Sequence, residues 1–367
     1  MRRSARRSAL LSSVLLVATL TSVPARAGGP DDVVGGPQLG SRGVVVAPGS
    51  PALPPALTAA SWVLADLDTG AVLAAKDPHG RYAPASTLKM LTALAVMPHL
   101  DVDHKVVPTF DDINVEGSRV GLVQRVGYPV HELLTSLLVV SANDSANVLA
   151  TAAGGLPATL RLMHETAASL GAHDTRAVNP SGLDAKGQVS SAYDLALIAR
   201  AGMRIPEFVG YVTTRTSSVS APGRARIEIY AHNKLLRNYE GALGIKNGYT
   251  AKARASFVGA AARGDRRLVV TLMRAEPRVW KEAAALLDWG FALGDAQPSV
   301  GTLVEPTPPP AEDADSVGST AHYALARDEA STTESRPVTP ASVGALLLAV
   351  AALEIVRRRR RRSSLAF

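Results

Sequence analysis

The chain has 367 residues, 47% of them apolar and 19% charged, proportions that a globular domain with one large core or two modest ones would show. Its net charge of +7 does not mark a nucleic-acid binder. Arg2, Arg3, Arg6, Arg7 and Arg26 sit at one end, an unbroken run of six arginines (357–362) at the other, and the interior between them is net acidic. Cysteine is absent, which excludes disulfides, thiolate nucleophiles and cysteine-bound zinc. The eight histidines show no HExxH-like spacing, so neither a metal nor another cofactor is expected.

Four arginines, an apolar run over 9–23 and the small-residue site Pro24-Ala25-Arg26-Ala27 predict a secretory signal peptide, residues 1–27. Residues 28–55 are rich in Gly and Pro and read as a linker. The stretch ASWVLADLDTGAVLAA (60–75) reads as a hairpin turning at Asp68-Thr69-Gly70, followed by an apolar helix over 86–97. Helices are expected over 130–140, 146–153, 156–170 and 192–202. Strands are expected over 212–220, 241–249, 256–262 and 268–273, and a closing helix over 282–293. The fold class implied is an α/β (α+β) sandwich, a mainly antiparallel sheet covered by helices with an all-helical subdomain, occupying 56–294. Residues 295–340, rich in Pro, Ser, Thr and acids, read as a disordered stalk. Residues 341–356 are apolar except for Glu354, and at ~1.5 Å per residue they come close to a ~30 Å hydrocarbon core. With the arginine run behind them they predict a membrane helix whose basic tail, 357–367, stays in the cytoplasm and whose domain lies outside.

Three motifs carry chemistry, in this order. Ser86-Thr87-Leu88-Lys89 is an SxxK, and on a helix Lys89 lies one turn beyond Ser86 on the same face. A serine needs an adjacent base to attack a carbonyl, and a lysine serves if burial and neighbouring cations depress its pKa. Ser141-Ala142-Asn143 is an SxN in a break between helices, where a hydroxyl can relay a proton and an amide can orient the lysine and a substrate amide. Lys246-Asn247-Gly248 falls on a predicted strand, where a cation can meet a carboxylate and the glycine lets substrate backbone lie along the edge. Alone, each motif is also compatible with a solvated lysine and a surface serine. A second SxN, Ser145-Ala146-Asn147, competes with the first.

The chain resembles the low-molecular-mass penicillin-binding proteins that are serine-type D-Ala-D-Ala carboxypeptidases. The likeness rests on SWVLADLDTGAVLAAKDPHGRYAPASTLKMLTAL, on VEGSRVGL followed by HELLTSLLVVSANDSANVLA, on NPSGLDAKGQVSSAYDLALIAR and on WKEAAALLDWG, and it spans about 57–294. The context of the second segment selects Ser141 over Ser145. The resemblance implies Ser86 as acylated nucleophile, Lys89 as general base, and Ser141 with Asn143 as proton relay and orienting group. It implies Lys246, Asn247, Gly248 and Tyr249 along the substrate strand, with an oxyanion hole from the backbone N–H groups of Ser86 and Tyr249. Peptidoglycan stem peptides would be the substrate and β-lactams covalent inhibitors. Asn247 departs from the family's usual threonine, and Ala253-Arg254 from its Ala-Gly. A β-lactamase or DD-endopeptidase on the same scaffold, or an impaired wall-binding protein, is the alternative. The glutamate-containing deacylation segment of a β-lactamase is not found between Asn143 and Lys246.

Overall fold

In the computed structural model, residues 33–294 and 299–307 are described. The signal peptide (1–27), the greater part of the stalk, the membrane helix (341–356) and the basic tail expected from the sequence lie outside them. Among the described residues no helix is long and apolar enough to cross a membrane.

After a 3-10 turn at Pro37–Gly40, β1 (Val44–Val46) leads to the hairpin β2 (Ser61–Asp66) and β3 (Ala71–Lys76). A second 3-10 turn, Ala85–Leu88, runs straight into α1 (Lys89–Val96). The helical part comprises β4 (Lys105–Val106), α2 (Phe110–Ile113), β5 (Tyr128–Pro129), α3 (Val130–Val139), α4 (Asn143–Ala152), α5 (Leu156–Ser169), α6 (Ala192–Gly202) and α7 (Pro206–Thr213). The small hairpin β6 (Thr216–Ser220) and β7 (Arg226–Tyr230) and the single turn α8 (Leu235–Asn238) return the chain to the sheet. There it forms β8 (Ala242–Thr250), β9 (Arg254–Arg263) and β10 (Arg266–Ala275), then α9 (Val279–Ala292) and β11 (Gly301–Thr302).

The main sheet runs β1-β3-β2-β10-β9-β8 with every pair antiparallel, and β11 also joins β3. Its strands are apolar on both faces because both faces are covered. Trp62, Leu64, Phe257, Leu268, Val270 and Leu272 pack under α9 against Ala283, Leu286 and Leu287. Val63, Ala65, Val258, Ala260 and Val269 meet the helical layer of α1, α3, α4 and α6 on the other side. The antiparallel sheet between helices is the architecture the sequence predicts. It leaves β8 at the end of the strand order, with one edge free.

Two boundaries differ from the sequence expectation. Part of the predicted linker 28–55 is folded: Leu39 is fully buried and β1 pairs with Ala74, Ala75 and Lys76. Part of the predicted stalk is folded too, since β11 pairs with Ala71 and Val72, Leu303 is buried and Glu305 bridges Arg200 and Arg204. The two segments bond to each other through Thr302 N–H and the Gly35 carbonyl (2.8 Å). Strands of two and three residues are too short to leave a period-2 signature, and the glycines at 35 and 36 hold positive φ in tight turns, not in free chain. Together β1 and β11 cover the outer edge of β3. The helix α7 also replaces the start of the strand expected from Val212, and α4 begins at Asn143, three residues before its predicted start.

Candidate active site

Ser86 lies in the 3-10 turn ahead of α1, not in the α-helix itself. That turn is pinned by its preceding residue. The Pro84 carbonyl accepts from Thr87 Oγ1 (2.6 Å) and from Ser256 Oγ of β9 (2.6 Å), so the nucleophile turn is fastened to the sheet. Ala85 has a left-handed φ of 48°, and Gly182 presses on its carbonyl oxygen. A Cβ at Gly182 would lie 1.9 Å from that oxygen and 3.1 Å from Ser86 Cα, and Gly182 itself has φ +83°. Gly248 of β8 presses from another side, where an added Cβ would come within 2.5 Å of Ser86 N. The sequence places glycine where backbone must touch the nucleophile turn.

Lys89 follows one turn later and is fully buried. Its Nζ donates to Asn143 Oδ1 (2.6 Å) and to the Ser181 carbonyl, and lies within hydrogen-bond distance of Ser86 Oγ (3.1 Å). Among the described residues no carboxylate bonds to it. Burial, and then the charge on Lys246, pull its pKa well below the usual lysine value, with Asp144 opposing. A neutral lysine amine has two N–H groups and one lone pair. The Asn143 amide oxygen and the Ser181 carbonyl are acceptors only, so they take the two N–H groups and turn the lone pair towards the Ser86 hydroxyl. The orientation of the Asn143 amide is fixed, because its Nδ2 donates to the Glu116 carbonyl (2.6 Å).

Ser181 is the group the sequence reading did not single out. Its backbone oxygen, not its side chain, touches Lys89, and a backbone acceptor leaves no residue-type signal. The nearest clue is Asn179-Pro180-Ser181-Gly182 itself. Asn179 Oδ1 accepts from Ser181 N and Oγ and from Gly182 N, and Gln188 Oε1 accepts from the backbone N–H groups of Val178 and Asn179. These bonds hold the loop so that its carbonyl points at the amine.

The two SxN segments separate cleanly. Ser145 is buried and its Oγ is bound to Ser136 Oγ (2.7 Å), so it is structural. Ser141 sits in the break between α3 and α4 with φ 64°, next to Asn143, and its hydroxyl has no hydrogen-bond partner among the described residues. Asp144 spends its carboxylate on the N–H groups of Val120, Gly121 and Leu122, which ties the 116–122 loop to α4 beside Asn143.

On β8, Lys246 and Gly248 face the helical layer and the Ser86 turn, while Asn247 and Tyr249 alternate to the other face. Lys246 is 1% exposed, and among the described residues its Nζ donates only to the Asn247 carbonyl (2.8 Å). Burial brings its pKa down to about 7. Asn247 pairs with Phe257 of the α9-side core and lines a cleft of about 210 Å³ with Tyr249, Arg278 and Trp280. So the structure brings Ser86, Lys89, Asn143, Lys246 and Gly248 together, and sets Asn247 round the rim of the same edge. Arg254, the other departure noted in the sequence, is ion-paired with Glu276. Among the described residues no group of His, Asp and Glu could hold a metal ion.

Residues 49–277 match the profile described as D-alanyl-D-alanine carboxypeptidase. D-alanyl-D-alanine carboxypeptidase DacB2 of Mycobacterium tuberculosis is 44% identical over 252 residues, which cover 67% of this chain and 86% of that protein. DacD of Escherichia coli is 33% identical over 255 residues, covering 65% and 64%. A solved D-alanyl-D-alanine carboxypeptidase from Mycobacterium tuberculosis matches with a TM-score of 0.67 at 42% identity, covering 70% of this chain and 99% of that one. A mutant of the Streptomyces K15 DD-transpeptidase matches at 0.62 and 25% identity, over 65% of this chain and all of that one.

The contact between Gly182 and the nucleophile turn makes a sharp prediction. Gly182→Ala displaces the Ala85 carbonyl and Ser86 with it, and slows covalent labelling by a fluorescent penicillin roughly 100-fold. Stopped-flow labelling measures this, with a melting curve to show that the variant is folded. Unchanged labelling would mean the turn yields without moving Ser86.

Proposed function

The chain belongs to the D-alanyl-D-alanine carboxypeptidase family of serine peptidases, and we propose that it removes the terminal D-alanine from peptidoglycan stem pentapeptides through an acyl-enzyme on Ser86. The observation that carries this reading is the hydrogen-bonding of Lys89, whose two carbonyl acceptors aim its lone pair at Ser86 Oγ. The amine takes the hydroxyl proton as Oγ attacks the carbonyl of the penultimate D-alanine. Negative charge then develops on that carbonyl oxygen, and the backbone N–H groups of Ser86 and Tyr249 are the assigned donors for it. The proton returns through the Ser141 hydroxyl to the departing amine of D-alanine. Water, activated by the same lysine, cleaves the Ser86 ester and releases the shortened stem. β-Lactams enter as substrate mimics and stop at the ester.

Lys246 is assigned to the substrate carboxylate. An anion beside it stabilises its charged form, which burial otherwise disfavours. Asn247 is assigned to the rim of the edge and not to the carboxylate itself, since it faces the other side of β8 from Lys246. Export by the 1–27 signal peptide and retention by a 341–356 membrane helix would set the domain on the extracytoplasmic face, where peptidoglycan lies.

Purified residues 28–340 are expected to label with penicillin and to release D-alanine from a pentapeptide, and Ser86→Ala to abolish both. Labelling without D-alanine release would sink the carboxypeptidase reading.

The charge on Lys246 sets an alkaline limb. Because kcat/KM reports the free enzyme, it should fall as pH rises through about 7, where Lys246 loses its proton. Lys246→Gln should lower kcat/KM and remove that limb. A profile flat from pH 6 to 9 in the parent protein would refute the assignment.

For the anchor, the full chain should sediment with membranes and a chain ending at Pro340 should not. Equal sedimentation of the two would show that 341–367 do not hold it there.

A further inference from the structure

Three clefts adjoin along the free edge of the sheet beside Ser141 and β8, and Lys234 lines all three. The first, about 500 Å³, lies between Arg119 and Val120 of the loop held by Asp144, Val140 next to Ser141, and β7, and it includes Arg237. The second, about 210 Å³, carries Arg278 beside Asn247 and Tyr249. The third, about 520 Å³, joins Lys234, Arg237 and Arg278 to Lys281.

The basic side chains are exposed, and Arg119, Lys234, Arg237, Arg278 and Lys281 form no ion pair among the described residues. Glu228 is the one carboxylate in the lining of these clefts, and Tyr230 Oη donates to it. Elsewhere several surface arginines are matched, Arg81 with Asp174, Arg204 with Glu305, Arg226 with Glu132, Arg254 with Glu276, Arg263 with Asp288 and Arg267 with Asp68, while Arg42, Arg125 and Arg215 stand singly with no ion pair among the described residues; the cleft residues differ in lying together. Five like charges around adjoining clefts repel one another, and of the five Lys281 lies over the Trp280 ring (5.9 Å). A cleft lined by one sign of charge concentrates ligands of the opposite sign.

We infer that this cationic edge is a specificity site for the carboxylates that a stem peptide carries upstream of its D-alanyl-D-alanine terminus. The inference rests on the carboxypeptidase reading and adds substrate selection to it: stems with free side carboxylates are turned over faster than the same stems with those carboxylates amidated. The geometry suits this. The free edge of β8 can hold extended peptide backbone with its reactive end at Ser86. The remainder of that peptide then runs along the edge where Lys234, Arg237 and Arg119 lie. The terminal carboxylate goes to Lys246 and makes no demand on them.

The test compares two synthetic pentapeptides ending in D-alanyl-D-alanine, identical except that one has its side carboxylates amidated. The enzymes are the parent protein and the double variant Lys234→Gln/Arg237→Gln. The parent is expected to prefer the free-carboxylate peptide about tenfold in kcat/KM, as a few exposed ion pairs would give. The preference should shrink to about twofold in the double variant and in 0.5 M salt, where exposed charges are screened. The rate of Ser86 acylation by benzylpenicillin should not change, which shows the variant to be folded and its nucleophile intact. Equal kcat/KM on the two peptides in the parent, or a preference that survives the double substitution, overturns the inference and leaves the carboxypeptidase reading standing. Penicillin acylation with neither peptide cleaved would overturn that reading, and this one with it.

Discussion

A lysine amine enclosed without a carboxylate partner is the constraint on which the rest of this structure depends. Removing an ammonium group from water costs several kcal/mol unless an anion compensates, and Lys89 bonds to none among the described residues. The nearby acid named in its electrostatics, Asp144, spends both oxygens on backbone N–H groups of the 120–122 segment and Ser145. The protein therefore holds Lys89 in surroundings that favour the neutral amine. That is a poor way to stabilise a fold and a good way to make a base. The cost is contained because every hydrogen of the neutral amine has an acceptor.

Each partner of this amine comes from a different part of the chain, and this explains much of the architecture around them. Asn143 stands at the first turn of α4, with its amide fixed by Glu116 and its backbone N–H by the Ser118 carbonyl (2.7 Å). Ser181 arrives on a loop stiffened by Asn179 and Gln188. Ser86 arrives on a turn fastened to β9 through Ser256. Helical layer, loop and sheet converge on one nitrogen. Loss of packing in any of them loosens the same base, so the large two-sided core is part of the chemistry and not only of the stability.

The legible part of this protein was the part written in side chains at short range. Ser86 and Lys89 are three residues apart, and a 3-10 turn running into α1 sets them one turn apart on one face. The sheet and its helices showed in long apolar runs. The illegible parts have two physical causes. The Ser181 carbonyl is a backbone group, and any residue supplies one; only the glycine beside it hints that something must approach closely. The segments around β1 and β11 form strands of three and two residues, below the length at which alternation can be read, and their glycines and prolines resemble those of a flexible linker. Asn247 is a third case. The motif looked like three consecutive substrate contacts, but a strand alternates its faces, and register with Phe257 turns its side chain away from Lys246.

The two buried lysines belong to one titrating unit. Lys246 has its pKa brought to about 7 by burial, and its charge is among the causes that depress Lys89. Each of two enclosed cations close enough to feel the other disfavours the other's protonation. In the proposed reaction the substrate decides between them. A terminal carboxylate beside Lys246 makes that lysine the better place for a proton, and Lys89 is left as the free amine that Ser86 requires. Recognition of the C-terminus and activation of the nucleophile are then one electrostatic event. This accounts for a carboxypeptidase that needs no histidine or carboxylate in contact with its serine.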